Sequence, residues 1–431
     1  MSSRTIYQEL ADQLVALRND IDTRRSDPRR RGPLPTKQAI LGGIVKAFKF
    51  RYDDDGSKTS FNGVFWFDLG NDKGCEHQAT FILHGRHAAQ VCYDIVDKTS
   101  KLDHEAVLEV YFTAYCEKLG SWVLACERFD TYLFDEIQKV PRLPTQVPAF
   151  FTDPLRLELQ EFWIRTVRNL MRVLALSRTK CVVLDKLNNR DGYVIVPSGE
   201  IKVFGIGGTR ALNASFTKDL TDLREFFWSN NFFDGALSEE WRGFDSLLGS
   251  TQLMNTSPTV WEPIVLNHPT LLSPFVDAAD NHAQLTCYME IERFFWNDLT
   301  VSDRVAFINA LYVAMPQYRW ARDITEFPRQ NVAFTTEQEN VYTRIHSKAN
   351  YDKRIYAAVI ICVRNLVRHG YDCSLTKNSP GWDKNRIARE IKLLFGGFMS
   401  MAYTVSKLSI AEWHAMASNI DPRNYWCLYY K

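Results

Sequence analysis

Five side chains of the kinds that bind zinc fall within eighteen residues of this sequence: Cys75, His77, His84, His87 and Cys92. A structural zinc site needs four converging ligands, usually supplied as close pairs on tight turns. Two close pairs are present, but the surrounding residues are predicted as strands, whose alternate side chains point to opposite faces. The spacing also matches no familiar zinc finger. We therefore interpret these residues as loop histidines and core cysteines, and predict no bound metal.

A glycine-rich stretch at 205–210, Gly-Ile-Gly-Gly-Thr-Arg, follows a predicted strand, where a phosphate-binding loop would begin. A dinucleotide-binding loop would need a third glycine at Arg210, and a P-loop would need a Gly-Lys-Ser/Thr triplet. Neither is present, so the stretch is interpreted as a flexible turn. The sequence also lacks the nucleophile elbow of hydrolases, the His-Glu-x-x-His zinc motif and any Cys-x-x-Cys pair. These observations predict a protein that is not an enzyme and carries no cofactor.

The strongest local bias lies at 18–37, which holds six arginines and one lysine against three aspartates in a chain whose net charge is +1. A segment so poor in apolar residues cannot bury enough surface to offset the entropy of ordering it. It is therefore predicted to be a flexible basic arm that contacts RNA phosphates without sequence preference. The arginines predicted to make these contacts are Arg24, Arg25, Arg29, Arg30 and Arg31.

An apolar stripe precedes the arm at helical spacing, formed by Ile6, Leu10, Leu14, Leu17 and Ile21. The stripe predicts an amphipathic helix that docks either on another subunit or on the body of its own chain. The nine cysteines are odd in number and spread along the chain, which is typical of free thiols in a reducing compartment. With no signal peptide and no run long enough to span a membrane, the chain is expected to be intracellular, with no membrane partner.

The positioning elements are predicted from hydrophobic periodicity and turn signals. Strands are predicted over 64–67, 80–83, 91–96, 182–184, 193–196 and 201–204, the last two forming a hairpin. Helices are predicted over 102–119, 154–176, 284–297, 302–314, 335–347, 352–369 and 383–407. Together they indicate a helix-dominated α+β protein with a small sheet region in the first half and a mostly helical second half. The predicted domains are an N-terminal helix and arm (1–37), a mixed region (38–215) and a helical region (216–431).

Residues 167–228 resemble the catalytic-loop region of protein kinases in the order and spacing of their elements. A helix, a loop, a short hairpin, a glycine-containing triplet and a further helix follow one another. Nothing matches the His-Arg-Asp motif of that family, since Asp185 and Asp191 are out of register. Gly205-Ile206-Gly207 stands where the family has Asp-Phe-Gly. Phosphoryl transfer needs metal held by those carboxylates, so the resemblance implies a degenerate, inactive kinase-like domain.

The basic arm, the aromatic-rich helical body and the missing active site together favour a protein that assembles. In size and layout the chain resembles the coat proteins of small double-stranded RNA viruses of the partitivirus kind, whose helix-rich subunits form a shell. That resemblance implies a self-assembling capsid protein that packages RNA, located in the virion and the host cytoplasm. Two alternatives stay open: a kinase-like interaction protein, and a viral nucleoprotein that coats single-stranded RNA in a basic cleft.

Overall fold

The computed structural model of the chain describes residues 45–50, 59–67, 76–117, 119–136, 143–144, 154–184, 187–189, 191–204, 212–229, 233–234, 238–273, 278–315, 357–369 and 382–417. The predicted N-terminal stripe, the five arm arginines and the helix predicted over 335–347 lie outside these residues. The described residues form two compact units. The first unit holds those up to Cys92 together with Tyr111–Cys126, and the second holds Tyr93–Val110 and those from Glu127 onward.

The described strands are short, and most of them lie in the first half of the chain. They are β1 (Val45–Phe50), β2 (Ser60–Phe67), β3 (Glu76–His84), β4 (Val110–Cys116), β5 (Ser121–Glu127), β6 (Thr131–Tyr132), β7 (Leu143–Pro144), β8 (Tyr193–Ile195), β9 (Ile201–Val203) and β10 (Phe233–Asp234).

The described helices dominate the second half. They are α1 (Ala89–Thr99), α2 (Pro154–Thr179), α3 (Leu212–Ser229), α4 (Glu239–Leu248), α5 (Thr251–Met254), α6 (Pro258–Leu266), α7 (Ala278–Arg293), α8 (Val301–Ala314), α9 (Ala357–His369), α10 (Lys384–Lys407) and α11 (Ile410–Ala417). A 3-10 turn covers Pro269–Leu271 and a π-helical turn covers Phe294–Asp298. The chain thus has the helix-dominated α+β fold that the sequence predicts.

The first unit is built on a five-stranded sheet in the order β1-β2-β3-β5-β4. The β1–β2 and β2–β3 pairs are antiparallel, and Phe61 lies opposite Phe81 in the second of them. Because side chains alternate across a strand, one set of apolar residues from four strands collects in a small core. Its buried members are Phe65, Ala79, Phe81, Phe112, Val123 and Ala125.

The strand predicted over 91–96 is wrong, because these residues belong to α1. Cys92, Ile95, Val96 and Thr99 are buried, and they recur at the three- and four-residue spacing of one helix face. The run is rich in valine, isoleucine and tyrosine, which favour strands. Burial of one helical face overrides that local preference.

The helix predicted over 102–119 is also wrong. Leu108 N donates to Val203 O at 2.9 Å and Val203 N donates to Ala106 O at 2.7 Å, so the chain runs beside β9. From Val110 it enters β4, and it turns toward β5 through Gly120, whose φ of 59° is a conformation that favours glycine. A hairpin therefore occupies the place of the predicted helix.

The second unit is mostly helical and surrounds one large apolar core. The helices predicted over 154–176, 284–297, 302–314, 352–369 and 383–407 correspond to α2, α7 with its π-helical turn, α8, α9 and α10. Its largest fully buried side chains include Trp261, Trp413, Tyr193, Tyr288 and Phe307. Two small sheets accompany the helices, an antiparallel β6-β8-β9 sheet and a parallel β7–β10 pair.

A buried polar network joins α4, the 3-10 turn and α10. Lys392 Nζ lies 2.6 Å from Glu240 Oε1 and donates to Pro269 O and Leu272 O at 2.8 Å each. Nearby, Ser400 Oγ donates to Glu240 O at 2.7 Å. A charge in an apolar interior needs partners of this kind, and these contacts link the three elements to one another.

Candidate functional site

The segment that resembles a kinase catalytic-loop region folds as a long helix, a buried hairpin and a second helix. α2 begins at Pro154, a residue well suited to the first helical position. The chain reverses after α2 at Cys181, whose φ of 54° is unusual for a residue with a side chain. The hairpin predicted over 193–204 is confirmed: β8 pairs with β9 in antiparallel register, and Gly199 takes a φ of 82° in its turn.

Aromatic rings fix these three elements to one another. Tyr193 of β8 stacks on Phe226 of α3, with ring centroids 4.6 Å apart. Phe227, on the next position of α3, meets the edge of Tyr193 at 5.6 Å and Trp163 of α2 at 6.0 Å. All four side chains are buried. Contacts of this kind give the hairpin a single position between the helices.

A buried carboxylate on α3 holds the chain just before the loop that links α2 to the hairpin. Asp219 is 2% exposed, and its Oδ2 accepts a hydrogen bond from Leu184 N at 3.2 Å. The strand predicted over 182–184 is therefore wrong: the Leu184 amide bonds to a side chain instead of a strand ladder. The residues that follow Leu184 at 185–186, and the glycine-containing stretch at 205–210, lie outside the described residues.

A second acid, Asp222, lies one helical turn further along α3. It is buried and pairs with Lys218 at 2.7 Å. Burial raises the pKa of the Tyr193 hydroxyl well above its usual range, and the charges of Asp222 and Asp219 raise it further. Tyr193 is thus held as a neutral phenol. Asp219, Asp222 and Tyr193 are thus buried groups that hold α3, the hairpin and Leu184 together.

Sequence reasoning missed Asp219, although the sequence holds a signal for it. In an amphipathic helix, residues three and four positions apart lie on the same face. Asp219 lies three positions after Phe216 and four before Leu223, and both of these are buried. An acid in the apolar stripe of a helix needs a hydrogen-bonding partner, and here that partner is a backbone amide.

Three of the five potential zinc ligands, His77, His87 and Cys92, have different surroundings. His77 stacks on Phe65 with ring centroids 5.3 Å apart, and burial lowers its pKa. His87 is exposed in the turn before α1, whereas Cys92 is buried within that helix. Cys75 lies outside the described residues. Within the described residues, no group of three or more histidines, cysteines or carboxylates could hold a metal ion.

Strand β3 presents only uncharged side chains to the core of the first unit. Ala79 and Phe81, at alternate positions, are both fully buried. The strand reads Glu-His-Gln-Ala-Thr-Phe-Ile-Leu-His and contains no lysine. It therefore has no ammonium group to offer to a phosphate.

Comparison with models of known protein families found no matching family, and comparison with curated proteins found no relative. Among the described helices, none combines the length and the apolar character that crossing a bilayer requires. The arm and stripe on which the coat-protein interpretation rests fall outside the described residues, so that interpretation stays a prediction.

Proposed function

We propose that this chain is a degenerate kinase-like protein that does not transfer phosphate and acts by binding other molecules. The observation that carries the proposal is the order of its elements. The third strand of a five-stranded sheet is followed by a helix, and later by a long helix, a short hairpin and a buried helix. Protein kinases carry a lysine on their third strand, its glutamate partner on the next helix, and a catalytic loop between a helix and a hairpin.

The positions that carry kinase chemistry are occupied by other residues. β3 has no lysine, and α1, which follows it, reads Ala-Gln-Val-Cys-Tyr-Asp-Ile-Val-Asp-Lys-Thr and has no glutamate. The metal-binding triplet is replaced by Gly205-Ile206-Gly207. Without these groups, neither the nucleotide phosphates nor Mg²⁺ has the partners that phosphoryl transfer requires.

The connection between β1 and β2 also lacks the sequence that active kinases use to bind ATP. Kinases use a Gly-x-Gly-x-x-Gly sequence to cover the phosphates of ATP. Residues 51–59 contain a single glycine, Gly56, after three consecutive aspartates. The stretch also holds Arg51 and Lys58, so its net charge is −1, which does not attract a triphosphate. A fold does not fix a function, so a chain with this order of elements can act by binding alone.

A phosphotransfer assay tests the proposal. The purified chain is incubated with Mg²⁺ and ATP labelled in the γ-phosphate, with a generic protein acceptor, and label in protein and in free phosphate is counted. We expect the same counts as in buffer. Asp185→Asn is the matched variant, because Asp185 is an acid next to the tethered Leu184. Turnover that the wild type shows and Asp185→Asn loses would contradict the proposal, and so would turnover in both that follows the chain through a second purification step.

A further inference from the structure

A cavity of about 420 Å³ lies in the second unit where α2 ends. The end of α2, the turn after it, α3, α5 and the start of α6 contribute its walls. Its volume falls in the range of small-molecule sites, roughly 300 to 1,000 Å³. Val182, Phe216 and Met254 make part of the lining apolar. The cavity is thus large enough for a small organic ligand with an apolar body.

Arg178, on the last turn of α2, supplies a cation to this wall. Its guanidinium carbon lies 4.3 Å from the centroid of the Phe216 ring. Nη1 is buried and has no hydrogen-bond partner among the described residues. Burial lowers the pKa of Arg178, with no carboxylate acting against it. Arg178 as a whole is partly exposed, so its guanidinium is partly shielded from water and has no anionic partner among the described residues.

Two of the other polar side chains at the cavity hydrogen-bond within the protein. Asp219, the single acid among the lining residues, accepts from Leu184 N through Oδ2. Ser177 Oγ donates to Leu174 O at 2.8 Å. Arg178 is the single cation among the lining residues, and its guanidinium keeps hydrogen-bonding capacity for a ligand. A guanidinium presents parallel N–H groups that match the two oxygens of a carboxylate or a phosphate.

We propose that this cavity binds a small organic oxyanion, a carboxylate or phosphate ester whose apolar body packs against Phe216 while Arg178 donates to its oxygens. The proposal does not rest on the kinase-like function, because the whole cavity is formed by residues of the second unit. Because Arg178 supplies the positive charge at the cavity, removing that charge should remove the preference for anions without disturbing the fold.

Cys181 provides a reporter for occupancy. It lines the cavity and is exposed, so a bound ligand should shield its thiol from alkylation. The rate of iodoacetamide labelling at Cys181 is followed by peptide mapping as a function of probe concentration. The probes are benzoate, phenyl phosphate and benzylamine, which share one ring and differ in charge. We expect saturable protection by benzoate or phenyl phosphate and none by benzylamine, and the stronger anion identifies the ligand class.

Two variants separate recognition from general effects. Arg178→Gln should weaken protection by the anion about tenfold or more, the scale of a lost charge-assisted hydrogen bond. Arg165→Gln, an exposed arginine on the same helix that does not line the cavity, should leave protection unchanged. Equal protection by benzylamine, unchanged protection in Arg178→Gln, or no protection by either anion would overturn the proposal.

The stability of Arg178→Gln gives an independent test. Groups kept for binding are commonly unfavourable for stability, and Arg178 has no anionic partner among the described residues. The melting temperature of Arg178→Gln should therefore equal or exceed that of the wild type. A clear decrease in melting temperature would mean that Arg178 stabilises the fold by stacking on Phe216, and would overturn the proposal.

Discussion

At the scale of single residues, Lys392 shows how this fold keeps a charge in its interior. The side chain is 1% exposed, and its ammonium group contacts Glu240 and two backbone carbonyls. The carboxylate and the carbonyl oxygens together replace the water that the ammonium group loses. The pair contributes little net energy as a unit, but losing one partner strands the other.

Replacing Lys392 with methionine should therefore lower the free energy of unfolding by about 3–5 kcal/mol, because Glu240 remains buried and unpaired. Chemical denaturation measures the change. Lys101→Met is the control, since Lys101 pairs with Asp97 on the surface, where the two side chains are 49% and 58% exposed. Exposed pairs contribute about 1 kcal/mol or less. Equal effects of the two substitutions would show that the buried network does not stabilise the fold.

His268 is a second buried polar residue whose hydrogen bonds define its state. Nδ1 accepts from Thr270 N at 3.2 Å, so the ring proton lies on Nε2, which is 3.1 Å from Thr404 Oγ1. Thr404 donates in turn to Gly243 O at 2.7 Å. Burial lowers the pKa of His268 well below 6.5, and the charge of Lys392 lowers it further. The native state therefore holds a neutral imidazole.

This lowered pKa predicts a loss of stability in acid. Below about pH 6.5 the unfolded chain takes up a proton at His268 that the native state excludes, so the free energy of unfolding falls as pH decreases. The expected slope from this residue is about 1.4 kcal/mol per pH unit. Unfolding of His268→Gln, measured from pH 7.5 to 5.5, should lack this part of the slope. The exposed His282→Gln should retain it, and identical slopes in all three proteins would contradict the assignment.

At the scale of elements, α4 and α10 approach each other closely at one glycine. A Cβ on Gly243 would collide with Ser400 Oγ and lie 3.1 Å from Met401 N. At Gly396 of α10, in contrast, a Cβ would have its nearest neighbour, Glu240 Oε2, at 3.5 Å. Of these two helical glycines, Gly243 is the one whose missing side chain allows α4 and α10 to pack closely.

Alanine at these two positions should have opposite effects. Gly243→Ala should destabilise the protein by about 1–3 kcal/mol, the usual cost of overpacking. Gly396→Ala should be neutral or stabilise it by up to about 1 kcal/mol, because alanine is the better helix former. Thermal unfolding of both variants makes the comparison. Equal effects would contradict the close helix contact described for Gly243.

The elements also show how far the sequence predicts this fold. Long helices such as α2 and α10 are predictable because their apolar periodicity is sustained over many residues. The run at 91–96 is too short for periodicity to decide, and its β-branched residues favour the wrong structure. At 182–184 the apolar residues are buried, but the Asp219 side chain takes the hydrogen bond that a strand would have made.

The candidate site was less predictable than the fold. The helix–hairpin–helix order of 167–228 is visible in the sequence as a local pattern. The cavity next to Arg178 is not, because its walls come from four helices and a turn that are separated along the chain. Only packing brings Arg178 and Phe216 together. The sequence alone therefore cannot show that Arg178 lacks an anionic partner, because its neighbours come from distant parts of the chain.

At the scale of the whole molecule, the described residues form two compact units, and each holds different features on which the proposals rest. The first contributes a sheet whose third strand lacks a lysine, and the second contributes the helix–hairpin–helix segment and the cavity. A kinase-like binding protein would function as a discrete particle. A coat protein would function as a shell around nucleic acid, with thousands of kilodaltons of assembled protein.

Size-exclusion chromatography with light scattering, read at both 260 and 280 nm, separates these accounts most directly. The kinase-like account predicts a particle at the chain mass of 49.9 kDa, or a small multiple of it, with the absorbance ratio of pure protein. The same elution at low and high salt would confirm that no nucleic acid takes part. Megadalton particles with excess absorbance at 260 nm would contradict the account and favour the coat protein.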